Sequence, residues 1–170
     1  ATKYIVSSET SVEATEAAGL TAFDSDGFSL GSNSDFNGNT AKFVSWNWKG
    51  GTAFSNSAGS NGADLACTGR VNTTAGFSVI KATSDSAANK TIAHGLGAVP
   101  DVIWAKNLGQ TYNWDCYFKV LGYNASLILN ATNTTRTGAW GSNAFTTTTF
   151  NTQNNYSSNN GYEYIYYCFT

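Results

Sequence analysis

Phe43-Val44-Ser45-Trp46-Asn47-Trp48 alternates strictly between two faces. A strand turns successive side chains to opposite sides, so Val44, Trp46 and Trp48 share one face and Phe43, Ser45 and Asn47 the other. The first face is wholly apolar, which is the pattern of a strand half-buried against a core. Outward from it, similar short runs rich in β-branched and aromatic residues occupy 3–7, 27–30, 42–48, 76–83, 101–106, 114–120, 126–130, 144–150 and 162–169. Clusters of Gly, Asn and Ser separate them. Pro100, the only proline, immediately precedes the run at 101, where its missing N–H does no harm. The one helical candidate is short, over 12–18, with Ser11 as cap and Gly19 as stop. The spacing predicts an all-β chain: an antiparallel two-layer β-sandwich, jelly-roll-like, of about nine or ten strands.

The composition narrows the class. Of the 170 residues 41% are hydrophobic and 14% aromatic, enough to build an interior. Charged residues make up only 12%, where an ordinary soluble domain carries roughly 25%. A net charge of −2 gives no electrostatic footprint for nucleic acid or for an anionic membrane surface. No apolar run approaches the roughly 20 residues of a membrane span. Ala1-Thr2-Lys3 does not open a signal peptide, so the sequence reads as a processed product, an excised domain or a mature form.

Two parts of the chain repeat each other. Tyr4-Ile5-Val6-Ser7, Phe23, Phe28, Phe36, Asn39 and the run 43–48 match Leu127-Ile128-Leu129-Asn130, Phe145, Phe150, Tyr156, Asn160 and Tyr164-Ile165-Tyr166-Tyr167-Cys168-Phe169, at an offset of about 120 to 123 residues. Residues 1–50 therefore read as the closing strands of a module, 51–70 as a linker or loop around the Ser/Asn/Gly stretch at 55–62, and 71–170 as a complete copy. The whole is expected to form one compact sandwich. Closing strands without their opening half leave apolar faces and unpaired backbone, which a neighbouring copy would cover head to tail.

The residues that carry chemistry elsewhere are isolated here. His94 is the only histidine and has no Gly-x-Ser-x-Gly or His-Glu-x-x-His context; Gly95 and Gly97 place it in a tight turn, bonded to backbone. Gly95-x-Gly97 is too short to cradle a phosphate. Asp24-Ser25-Asp26-Gly27 resembles the opening of a calcium loop but lacks the remaining ligands, so it reads as a turn. Asp101 and Asp115 sit at strand starts without a second carboxylate. The expectation is a chain that is not an enzyme, with no catalytic residue, no metal site and no cofactor. Cys67, Cys116 and Cys168 follow no metal spacing and are read as three buried thiols or as one bridge plus a thiol. Cys116 and Cys168, both flanked by aromatics, are the candidate disulfide, with Cys67 apart. Trp140, between small residues, is the candidate sugar contact. Six sequons supply glycosylation candidates, Asn133 and Asn155 in long polar connections foremost, then Asn72, Asn89, Asn124 and Asn130.

Four segments taken in order carry a family resemblance: Ala75-Gly76-Phe77-Ser78; His94-Gly95-Leu96-Gly97 before Pro100; Trp114 through Leu121-Gly122; and Tyr164 to Phe169. Together with Trp46-Asn47-Trp48-Lys49-Gly50-Gly51 as a boundary between modules, the chain resembles β modules of unassigned function that recur in tail-fibre and virion-surface proteins of aquatic tailed bacteriophages. Asp115-Cys116 and the Asn/Thr load at 130–135 depart from that pattern. The resemblance implies a β-sandwich on the virion surface or otherwise extracellular, a structural repeat unit of a fibre that partners with itself. The alternative it implies is a receptor- or glycan-binding module that contacts host-surface glycan. It carries over no catalytic residue.

Overall fold

A computed structural model of the chain describes residues 2–85, 87, 89–132, 135–154, 156–158 and 161–170. The fold is all-β and antiparallel, with fourteen strands among the described residues. That exceeds the count read from the sequence because several are two-residue ladders. The chain divides into two compact units.

The smaller unit runs to Val6 and resumes over Glu13–Asn47. It holds two hairpins, β1 (Lys3–Tyr4) with β2 (Ala14–Thr15) and β3 (Leu20–Phe23) with β4 (Phe28–Leu30), then a single helical turn α1 (Ser34–Asn37). The Asn33 side chain caps that turn by accepting from the Asp35 N–H at 2.8 Å. Gly31 is required where it stands, since a Cβ there would lie 2.4 Å from the Ala18 carbonyl oxygen. The expected helix at 12–18 does not form: β2 falls inside it, and pairing with β1 outweighs the helix preference of its Glu and Ala residues. The run 42–48 is not a strand either. It has the alternation but no partner, and Val44 and Trp46 stand 80% and 77% exposed. None of the fully buried apolar side chains among the described residues belongs to this unit. It has no core of its own.

The larger unit comprises Ser7–Val12 and Trp48–Thr170. Its strands are β5 (Thr52–Asn56), β6 (Cys67–Asn72), β7 (Phe77–Thr83), β8 (Lys90–Ala93), β9 (Val102–Asn107), β10 (Asp115–Phe118), β11 (Ala125–Ile128), β12 (Arg136–Thr137), β13 (Thr149–Thr152) and β14 (Glu163–Phe169). Eight form one sheet in the order β12-β11-β10-β9-β14-β7-β6-β5. Two meanders, β5 to β7 and β9 to β12, are thus joined by the last strand, which pairs with β7 on one side and β9 on the other. β5 and the start of β6 flank a loop at 57–66, so the region 51–70 is a hairpin of the sheet whose middle is the expected loop.

Parity decides which side of this sheet each residue meets. On β14, Tyr164, Tyr166 and Cys168 are buried, aligned with Ala82, Ile80 and Ser78 on β7 and with Asn107, Ala105 and Ile103 on β9. Against them lies the second layer, the β8–β13 ribbon with Ile92 and Phe150, and the loop that carries Trp140 and Phe145. The Phe150 ring stands 5.0 Å from Tyr166, and Phe145 stands 4.4 Å from Tyr117. The opposite face is aromatic too, with Phe169 5.2 Å from Phe77, 5.1 Å from Trp104 and 5.7 Å from Trp48. This is a two-layer sandwich, eight strands facing two.

Candidate functional site

His94 sits in the turn after β8, fully buried. Its Nδ1 accepts from the Leu96 N–H at 3.2 Å, which leaves Nε2 to donate to the Thr146 carbonyl at 3.3 Å. Gly95 makes the turn possible, at φ +72° and with Phe54 and Val71 where a Cβ would point. Burial lowers the imidazole's pKa, so the ring stays neutral and its two nitrogens tie the turn to the 146–149 segment. Asp24 lies in the β3–β4 turn, where its N–H donates to the Gly27 carbonyl and its carboxylate accepts from the Ser29 hydroxyl at 2.8 Å. Asp101 is exposed and paired with Lys119 at 2.7 Å.

Asp115 is different. It is buried beside Arg136, with which it forms an ion pair, and near the Ser126 hydroxyl at 3.5 Å. Burial pushes its pKa up to about 6 despite the guanidinium. Arg136 in turn stacks over the Tyr156 ring at 4.6 Å. Lys106 is fully buried on the other face of the sheet, as the parity of β9 requires, and no carboxylate pairs with it among the described ion pairs. Its Nζ donates to the carbonyls of Asn107 at 2.9 Å, Tyr112 at 3.1 Å and Thr10 at 3.2 Å. Burial lowers its pKa to about 8. The sequence hinted at neither group's partner, although a lysine inside an apolar central strand is itself the signal.

Two expected sites are corrected. Trp140 is fully buried, with its ring about 6 Å from those of Tyr117, Phe145 and Phe150, so it cannot meet a sugar from solution. The glycines around it shape a loop that folds inward. Cys116 and Cys168 are both buried, as expected, yet all three cysteines are free. Cys116 aligns with Trp104 and through it Tyr167, whereas Cys168 aligns with Ile103. The two thiols therefore face opposite sides of the sheet with β9 between them. Two strand spacings, about 9–10 Å, exceed the reach of a disulfide.

The sequons divide sharply. Asn72 and Asn130 are held at both ends of the carboxamide: Asn72 accepts from Ala75 N–H and donates to Lys49 O, and Asn130 accepts from Trp114 N–H and donates to Asn113 Oδ1. Asn89 and Asn124 are exposed and held through the oxygen, by Ser142 and Gly138. Their hydroxyl partners are withdrawn, however: Thr91 Oγ1 lies 2.8 Å from both Gly62 O and Asp64 Oδ2, and Ser126 is fully buried. None of these four presents an open carboxamide and an open hydroxyl together. Asn133 and Asn155 lie outside the described residues.

The most unusual surface is apolar. In the smaller unit, Leu20, Phe23, Phe28, Leu30, Phe36 and Phe43 line a groove of about 260 Å³. The sequence repeat bears directly on this unit. Its β1–β2 hairpin pairs Lys3 with Thr15 and Tyr4 with Ala14, and the β11–β12 hairpin pairs Ala125 with Thr137 and Ser126 with Arg136, every position displaced by 122. The flanking bond repeats as well, Glu16 N–H to Thr2 O and Gly138 N–H to Asn124 O, both 2.8 Å. At the same displacement Phe28 on β4 corresponds to Phe150 on β13. The smaller unit thus carries counterparts of the second half of the larger one, without counterparts of β5 to β10.

A family model described as "Domain of unknown function (DUF7483)" matches residues 1–170. The chain belongs to that family. No curated protein and no solved structure matches it. Among the described residues no helix is long and apolar enough to cross a membrane. Within this DUF7483 domain, the apolar groove of the smaller unit is the feature that sets a functional question.

Proposed function

We propose that this chain is a non-catalytic structural repeat unit of an extracellular fibre or virion appendage, joined to further copies of itself head to tail. The observation that carries the reading is the coreless smaller unit, which reproduces the register of β11–β12 but lacks the strands that β13 and β14 pack against. In the larger unit, β14 is enclosed by β7 and β9, and Phe150 lies between the layers. The equivalent run at 43–48 keeps its alternation, but among the described residues no strand pairs with it, and Val44 and Trp46 stand exposed. A neighbouring copy offers an open sheet edge at β5, five residues long. Strand addition there supplies backbone hydrogen bonds and covers the exposed aromatics. A contact between two different surfaces propagates into a filament unless its rotation closes a ring. Few charges oppose such stacking.

The glycan-binding alternative rested on Trp140, and its burial withdraws that support. The test is negative-stain imaging of the full chain beside a Val44→Asp/Trp46→Asp variant. Regular filaments that vanish in the variant, with the thermal transition of the larger unit kept, are expected. Filaments that persist in the variant would refute the assigned contact.

A further inference from the structure

The segment Ser7–Val12 interrupts the smaller unit in sequence yet belongs to the larger one. It reaches Lys106, 96 residues away, through one hydrogen bond from Nζ to the Thr10 carbonyl. We propose that Lys106 is a latch: its ammonium holds Ser7–Val12 as a strap over the outer face of the sheet, and the strap in turn seals the ammonium from water. The inference is independent of fibre formation.

An ammonium has three N–H donors and no acceptor, and here three main-chain carbonyls take all three. Two of these acceptors, Asn107 and Tyr112, are local and remain whatever the strap does. The third is the only long-range one. Burying an unpaired charge is costly, and charge-assisted hydrogen bonds must offset that cost. With no carboxylate paired to it among the described residues, the ammonium gains from the strap one bond and loses access to water. Opening the strap reverses both. Such a balance gives a two-state element and not a rigid joint, and local openings of this kind are the low-energy end of a protein's motions. Glu9 within the strap does not compete for the ammonium; it accepts from the Ser11 hydroxyl at 3.2 Å. Asp115 points to the opposite face of the sheet.

Two measurements on the full chain test the latch. Amine acylation followed by peptide mapping should label Lys106 at least about tenfold more slowly than exposed Lys42. Shortening residues 7–12 to a three-residue Gly/Ser segment, which takes the position-10 main-chain carbonyl away from Nζ, should remove that difference. Hydrogen exchange should show the strap amides exchanging at least about tenfold faster in Lys106→Met than in the native chain. Equal labelling of Lys106 and Lys42 in the native chain, or slow labelling that survives strap shortening, would overturn the seal. Unchanged or slower strap exchange in Lys106→Met would overturn the latch. Should Lys106→Met fail to fold, the strap shortening, which leaves every strand intact, decides alone.

Discussion

Phe150→Ala tests how firmly the second layer is fixed to the sheet. Phe150 is fully buried on β13, and its ring meets Tyr166 at 5.0 Å from the sheet side, Trp140 at 6.3 Å and Phe145 at 6.1 Å from the loop, and His94 at 6.5 Å from the turn. Side chains on three different segments therefore lose a partner when the ring is removed. Large-to-small substitution at such a site costs about 3–5 kcal/mol. That is a third or more of the stability of many domains, whose total is roughly 5–15 kcal/mol. For a chain of this size about 2–4 °C accompanies each kcal/mol, so Tm should fall by roughly 6–20 °C. The assay is thermal unfolding followed by near-ultraviolet circular dichroism, with urea unfolding to confirm that the m-value is unchanged. Phe28→Ala is the matched control. It removes the corresponding ring of the smaller unit, which is only half-buried, and should cost under about 1 kcal/mol in unassembled chain. A loss below about 1 kcal/mol for Phe150→Ala would refute the two-layer packing.

The remaining predictions concern charge and thiols. Lys106 has a folded pKa of about 8, below its unfolded value. Between about pH 8 and 10.4 the unfolded chain therefore binds more protons, and its contribution to stability rises with pH by at most about 3 kcal/mol. Urea titrations at pH 7.5 and 10 should show this rise relative to Lys106→Met. Asp115, raised to about 6, works the other way: its contribution is fully present below about pH 3.9 and is lost as pH climbs through 6. Asp115→Asn should flatten that part of the stability profile. Thiol labelling of denatured, unreduced chain should count three reactive cysteines; a count of one would contradict the opposed faces of Cys116 and Cys168.

The parts of the fold legible in the sequence are those where pattern and partner coincide. The runs at 76–83, 101–106 and 162–169 became β7, β9 and β14, the three adjacent strands at the heart of the sheet. Their alternation survives because both faces meet other residues. β5 and β6 went unseen because Thr52-Ala53-Phe54-Ser55-Asn56 and Cys67-Thr68-Gly69-Arg70-Val71-Asn72 carry little strand preference of their own, and pairing supplies the order. The run at 43–48 failed the opposite way. Alternation tells which face a side chain takes, not whether a strand lies alongside.

The same limit holds for the site residues. The backbone bonding of His94 followed from its glycines, and the turn at Asp24 from its spacing. Burial of Trp140 did not, since small neighbours suit an inward loop as well as an exposed one. The cysteine pair failed on parity. Flanking aromatics place a residue in a sheet, but only the register with β9 says which side it faces. The carbonyl cage of Lys106 was out of reach, because Thr10 and Tyr112 are brought there by tertiary structure alone. The repeat, by contrast, was legible in sequence, although the hairpin registers match at a displacement of 122 and so set Tyr4 on Ser126, one residue from the Leu127 that the sequence pattern offers.

Sedimentation velocity of the full chain across a concentration series tests the central claim most directly. The account predicts large species that grow with concentration. A single species near 18.0 kDa at every concentration would contradict it.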